Sequence, residues 1–205
     1  VKFLETIFGQ NHALIKFVQR AIGYSLTGLT TEQVLFFLHG HGSNGKSTLI
    51  KIIMLLMGDY AQAADTKTFL VQKNESVRSE IARMVGKRFV AAVEAEGEKR
   101  LAEVLIKQLT GTDMITARFL YSEYFDFTPA FKIWLVANHK PVIQGTDHAI
   151  WRRIRLIPFE ITITEDKKDQ NLFEKLRSEL SGILTWAVEG CLDWQNEGLK
   201  APDEV

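Results

Sequence analysis

Eight consecutive residues, Gly40-His41-Gly42-Ser43-Asn44-Gly45-Lys46-Ser47, follow the pattern G-x-x-x-x-G-K-S. That spacing suits one chemistry, the cradling of phosphates. Glycines let the backbone turn tightly and aim successive N–H groups at an anion. Gly40, Gly42, Ser43, Asn44 and Gly45 would form the cradle, with Thr48 closing it. Lys46 would reach the β- and γ-phosphates, and the Ser47 hydroxyl would ligate Mg²⁺. The flanks fit the same chemistry. Val34-Leu35-Phe36-Phe37-Leu38 reads as a buried strand. Thr48 to Met57 reads as a buried helix stopped by Gly58, and its N-terminus adds the positive end of a helix dipole. A site for a nucleoside triphosphate, ATP with Mg²⁺, is the expectation.

Further candidates follow at strand ends. Arg88-Phe89-Val90-Ala91-Ala92-Val93 is an apolar run leading into Glu94 and Glu96. Behind a phosphate loop, one carboxylate there can position Mg²⁺ and a glutamate can polarise the attacking water. Glu94 follows the strand directly and is the first choice for both; Glu96 is the alternative base, and solvated loop glutamates are the bland alternative. Asn138 ends the apolar run Lys132–Ala137, where an amide can touch the γ-phosphate or orient the water; it can equally be a turn former. Arg152, Arg153 and Arg155 stand close together. They suit an anion, as an arginine finger reaching a neighbouring subunit's nucleotide does, or a solvated surface helix.

These residues need a scaffold. Asn11 can cap an N-terminal helix carrying Leu14, Ile15, Phe17, Val18 and Ile22 on one face, punctuated by Gly23 and Gly28. A short strand at 60–63, a helix over 75–85 closed by Gly86, a helix over 101–109 and a strand near 154–157 follow. The β-prone runs around Tyr121-Ser122-Glu123, stopped by Pro129, predict a β-hairpin. From 169 to 199 the pattern is helical, broken near Ser181-Gly182, with Leu172, Phe173, Leu176, Leu180, Ile183, Leu184, Trp186, Ala187 and Leu192 as its buried face. The expected division is a helical lead-in over 1–30, a core over 31–165 and a C-terminal helical segment over 166–205.

Bulk properties narrow the class. The chain has 205 residues, 46% hydrophobic and 24% charged, enough for one α/β core. Lys+Arg and Asp+Glu balance at 25 each, so nucleic-acid binding would need a local patch or an assembled channel. Cys191 is the only cysteine, which excludes an internal disulfide and suits a reducing compartment. No apolar run approaches a membrane span. A start at Val1 rather than Met is expected of a piece of a longer protein.

In order along the chain, several stretches resemble the superfamily-3 helicases, an AAA+-like group of replication motors. The likeness is to the helicase half of phage and plasmid primase–helicases and the related poxvirus primase-helicase NTPase. It rests on Gly23–Gly28, Gly40–Ser47, Ile106–Gly111, Ile115–Arg118, Trp134–Pro141 and Ile150–Arg155. The resemblance implies an α/β fold, a three-layer αβα P-loop NTPase with a mostly parallel central sheet, a β-hairpin insertion and a short C-terminal helical subdomain. It also implies a hexameric homo-oligomer with ATP between subunits and single-stranded or forked DNA in the pore. A primase domain in the same full-length chain and a cytoplasmic setting, that of a bacterial host for a phage or plasmid protein, belong to the same expectation. Lys46 and Ser47 would handle phosphate and Mg²⁺, Glu94 would be the acidic-motif residue, and Asn138 the γ-phosphate sensor. Arg153 would be the finger, with Arg152 as its substitute. The 113–127 segment would be the pore hairpin, and Lys107 would serve the neighbouring nucleotide or DNA.

Two departures stand out. Ala95 separates Glu94 from Glu96, where many relatives have adjacent acids. The hairpin tip lacks lysine, leaving Arg118, Tyr121 and Lys132 as DNA contacts, with ordinary hairpin packing as the rival role for Tyr121. An ATP-dependent DNA helicase motor is the expected activity. An ATP-dependent DNA-binding ring or initiator without unwinding, and a small-molecule P-loop kinase, are the alternatives.

Overall fold

The structure, a computed structural model, describes residues 2–71, 77–93, 100–140, 142–143 and 148–205. Helix α1 (Lys2–Phe8) leads into α2 (His12–Leu26), whose first turn is capped by Asn11: its Oδ1 accepts the Leu14 N–H at 3.0 Å. Strand β1 (Leu35–His39) feeds the glycine-rich loop and α3 (Lys46–Met57); β2 (Ala61–Ala63), α4 (Val77–Ala82), β3 (Phe89–Val93) and α5 (Glu103–Leu109) follow. Next come β4 (Ile115–Ala117), β5 (Phe125–Phe127), β6 (Lys132–Ala137), α6 (His148–Trp151), β7 (Ile154–Pro158), α7 (Leu172–Ser178) and α8 (Leu180–Glu197).

Five strands form one sheet in the order β2-β3-β6-β1-β7, every neighbouring pair parallel. A parallel sheet must be covered on both faces, and the strand sequences allow it: all six residues of β6 are buried. On one face Phe36, Phe89 and Trp134 pack with α2 residues Phe17, Val18 and Ile22 and with α3 and α8. On the other, Leu35, Phe37, Ile133 and Leu135 pack with Phe69, Ile106 and Ile154. The result is the three-layer α/β arrangement expected from the motif order. Strands β4 and β5 pair antiparallel as a separate two-stranded hairpin, Thr116 opposite Asp126.

Three details differ from the sequence expectation. Gly23 does not interrupt α2, because α8 crosses there backbone to backbone. A Cβ on Gly23 would lie 2.1 Å from the Cys191 nitrogen, and one on Gly190 would lie 2.2 Å from the Gln19 carbonyl oxygen. The N-terminal helices are therefore a layer of the core. The C-terminal break falls at Glu179, ahead of Gly182. The buried residues of α8 are Ala187, Gly190 and Trp194, while Leu184 and Leu192 are exposed: the close crossing selects small side chains, and a leucine would hold the helices apart. Among the described residues no helix is long and apolar enough to cross a membrane.

Candidate phosphate-binding site at the sheet edge

Because the strands run parallel, the chain leaves β1, β3 and β6 on one edge, with His39 level with Ala137 and Val93 level with Val136. Beyond His39 the backbone enters conformations that open a cradle. Gly40 has φ +144°, Ser43 +60° and Gly45 +86°. Glycine is required at two of these: a Cβ on Gly40 would sit 2.1 Å from the Phe159 carbonyl oxygen, and one on Gly45 2.5 Å from Ile7 Cγ2. Helix α3 starts at once, and its first ladder bond runs from the Leu49 N–H to the Gly45 carbonyl at 2.9 Å. The N–H groups of Lys46, Ser47 and Thr48 precede that ladder, the arrangement by which a helix N-terminus can hold an anion. Ser47 is exposed at the second position of the helix.

Lys46 turns inward. Its ammonium donates to the Gly40 carbonyl, to Asn44 Oδ1 at 3.0 Å and to the His41 carbonyl at 3.3 Å. Burial pushes its pKa below the usual lysine value. Asn44 Nδ2 donates to the His41 carbonyl and to the Phe159 carbonyl at 3.0 Å. The loop thus holds its cation on its own oxygens, the same kind of acceptor a phosphate offers.

Asn138 is exposed on the same edge, one residue beyond β6. The adjoining His139 ring meets the loop's His41 edge-on, centroids 6.2 Å apart, so this strand tip and the phosphate loop are neighbours. Strand β3 delivers the chain to the edge at Val93; Glu94 and Glu96 lie outside the described residues. A cleft of about 860 Å³ opens from Ser43, Gly45 and Thr48, between α1 and the segment from Ile163 through α7. Phe3 and Phe173 give it apolar walls and Lys167, Lys168 and Lys175 give it cations. Among the described residues no group of three or more His, Cys, Asp or Glu could hold a metal ion; of the two expected Mg²⁺ ligands, Ser47 is exposed at the start of α3 and Glu94 lies outside the described residues.

The arginines lie elsewhere. They precede or begin β7, whose Ile154 is level with Leu35 at the start of β1, so they stand at the edge opposite the phosphate loop. At ~3.3 Å per residue the strand sets them roughly 16 Å away from it. Arg153 is buried and donates to the Ala149 carbonyl at 2.8 Å and Gln33 Oε1 at 3.3 Å. Arg155 is half-buried and folds back on the Arg152 carbonyl at 2.9 Å. The exposed guanidinium is that of Arg152, 3.5 Å from Gln33 Oε1. First choice and substitute therefore exchange places on accessibility.

The DNA candidates separate too. Arg118 is exposed beside the hairpin with its guanidinium 4.8 Å from the Tyr124 ring centroid. Tyr121, at φ +61°, is 100% exposed, so it takes no part in hairpin packing. Lys107 is half-buried in the last turn of α5. Lys132 needs a correction: it is 1% exposed, its ammonium donates to the Thr27 and Leu29 carbonyls and lies 4.7 Å from the Tyr24 ring centroid. A side chain spent on closing the turn after α2 has no surface to offer DNA.

The DUF5906 family, a family of unknown function, matches residues 38–153, from the end of β1 through the phosphate loop to the arginines. The chain belongs to the DUF5906 family. This DUF5906 chain is 33% identical over 210 residues to a putative helicase of Acanthamoeba polyphaga mimivirus, covering 93% of this chain and 22% of that protein. It is 31% identical over 144 residues to a primase of fowlpox virus, covering 68% and 18%. In fold it is similar to the C-terminal region of NrS-1, with a TM-score of 0.72 at 10% identity, covering 91% of this chain and 44% of that one. It therefore spans about a fifth of the curated relatives it matches. The relatives named helicase and primase belong to large DNA viruses, and the motif order that resembles the primase–helicase group lies within the stretch that the mimivirus protein shares with this chain.

Some of the DUF5906 site carries no mark in the sequence. Phe3 and Ile7 press on Gly45, and the Phe159 carbonyl and Ile163 N–H clasp the loop, the latter bonding the Ser43 carbonyl at 2.7 Å. Two of these four are backbone groups, whose positions no residue type encodes. The lysines of the cleft lie in a charged segment, where composition alone reads as a solvated face.

Proposed function

We propose that this chain is the motor domain of a replicative ATP-dependent DNA helicase, working on single-stranded or forked DNA as a homo-oligomeric ring in which each site is shared between two subunits. The phosphates of ATP would rest on the N–H groups that open α3, with base and sugar in the cleft between Phe3 and Phe173. Lys46 would exchange its loop carbonyls for the β- and γ-phosphates, Asn138 would touch the γ-phosphate, and Glu94, with Glu96 as alternative, would polarise the water. Ser47 and Glu94 would hold Mg²⁺, which neutralises charge developing on the phosphates. A neighbouring subunit would supply the arginine. Arg118 and Tyr121 would hold the strand, through phosphate bridging and base stacking.

The observation that carries this reading is the division of the sheet: the phosphate loop and Asn138 at one edge, the arginines at the other, too far to serve the same nucleotide. Relatives named helicase and primase support a role in replication. The test is ATP turnover against protein concentration, with and without single-stranded DNA, followed by strand displacement on a fork. Turnover should climb steeply with concentration, rise with DNA and vanish in Lys46→Ala. Turnover that is flat with concentration and indifferent to Arg152 and Arg153 would refute the shared site.

A further inference from the structure

Asn44 is a buried side chain, 3% exposed, bonded on both sides. Its Oδ1 accepts from Lys46 Nζ at 3.0 Å, and its Nδ2 donates to the Phe159 carbonyl at 3.0 Å as well as to His41. Phe159 follows β7 directly and donates its own N–H to the His39 carbonyl at 2.8 Å. The crest of the phosphate loop is thereby fastened to the last turn of chain leaving β7. At the other end of that strand Arg153 is equally fixed, its carbonyl accepting the Leu35 N–H at 2.8 Å.

We propose that Asn44 is a positioning residue that couples occupancy of the phosphate loop to β7, and through β7 to Arg152 and Arg153. The coupling rests on the nucleotide reading above. In the empty loop the Lys46 ammonium polarises the Asn44 amide and strengthens its donation to Phe159, as charge-assisted and chained hydrogen bonds do. When Lys46 swings to a phosphate, Oδ1 loses its cation, the bond to Phe159 weakens, and the end of β7 is released. A ligand shifts an equilibrium only through contacts that differ between two states, and the Lys46–Asn44 bond is such a contact. The second clasp, from the Ile163 N–H to the Ser43 carbonyl at 2.7 Å, involves neither side chain, so it keeps the loop folded when Asn44 is changed.

Amide hydrogen exchange across residues 154–163, with and without a non-hydrolysable ATP analogue and Mg²⁺, tests the coupling. In the wild type, bound nucleotide should speed exchange at the Phe159 amide by about tenfold or more. In Asn44→Ala that difference should fall to about twofold or less, read at an analogue concentration that saturates the variant, since Asn44 also belongs to the cradle. Asn44→Leu, which fills a similar volume with neither the acceptor for Lys46 nor the donor to Phe159 and adds no charge beside the phosphates, should lose the response in the same way and serves if the alanine variant does not fold. A merely structural Asn44 would raise exchange with and without nucleotide alike, and that result overturns the coupling. So does a wild type that binds the analogue with no change at Phe159. A wild type that binds no analogue overturns the nucleotide reading itself, and the coupling with it.

Discussion

Lys46 and Lys132 are both buried lysines satisfied by backbone carbonyls, yet only one was legible. Lys46 announces itself because the glycines and Ser47 around it fix its role at short range. Lys132 begins a β-prone run, and nothing near it in sequence reveals that its acceptors, Thr27 and Leu29, lie more than a hundred residues earlier. Its burial has a consequence that can be measured. Desolvation, aided by the nearby Arg88 cation, lowers its pKa from 10.5 to about 7. Below that value folded and unfolded chains both carry the proton; between about 7 and 10.5 only the unfolded chain does. Unfolding then takes up a proton, so this group makes stability rise with pH across that window. Urea midpoints of wild type and Lys132→Met at several pH values check this: the wild type should gain more than the variant on going from neutral to alkaline pH, and parallel curves would contradict it.

The hairpin was legible as an element because two β-prone runs flank a short polar turn and Pro129 ends the second. What its tip does was not, since an exposed Tyr and a packed Tyr look alike in sequence. Tyr121 is fully exposed, so Tyr121→Ala should leave thermal stability unchanged and weaken single-stranded DNA binding by the ~1–3 kcal/mol of one stacked base, read from a titration at fixed salt. Helix α8 shows the opposite balance. Its helical period is plain in the sequence, but its buried face is not, because leucines outrank glycine in any hydrophobic tally and only the crossing with α2 shows that Gly190 must be small. Gly190→Ala should therefore cost more than its gain in helix propensity. About 1–3 kcal/mol of overpacking is expected, visible as a lowered urea midpoint, and a more stable variant would contradict the close crossing.

At the scale of the whole molecule, strand order is what the motif sequence could not spell out. The motifs fix which segments carry chemistry; the parallel order β2-β3-β6-β1-β7 decides which of them share an edge. It brings Asn138 beside the phosphate loop and sends the arginines away. On the proposed reading, Arg152→Ala should lower turnover by about 10³-fold or more while leaving ATP binding intact. Arg153→Ala should lower the urea midpoint, since Arg153 anchors the turn at Ala149 and Gln33. Equal turnover by Arg152→Ala and wild type would return the finger to Arg153 or dismiss it.

On the proposed reading, the edge that receives and the edge that gives lie on opposite sides of the sheet, so a working junction sets the loop edge of one copy against the arginine edge of another, and around a ring that contact is heterologous, head to tail. Two silent variants, mixed, should then wake each other. Lys46→Ala chains still carry Arg152, Arg152→Ala chains still carry Lys46, and every junction that joins the two intact halves is a working one.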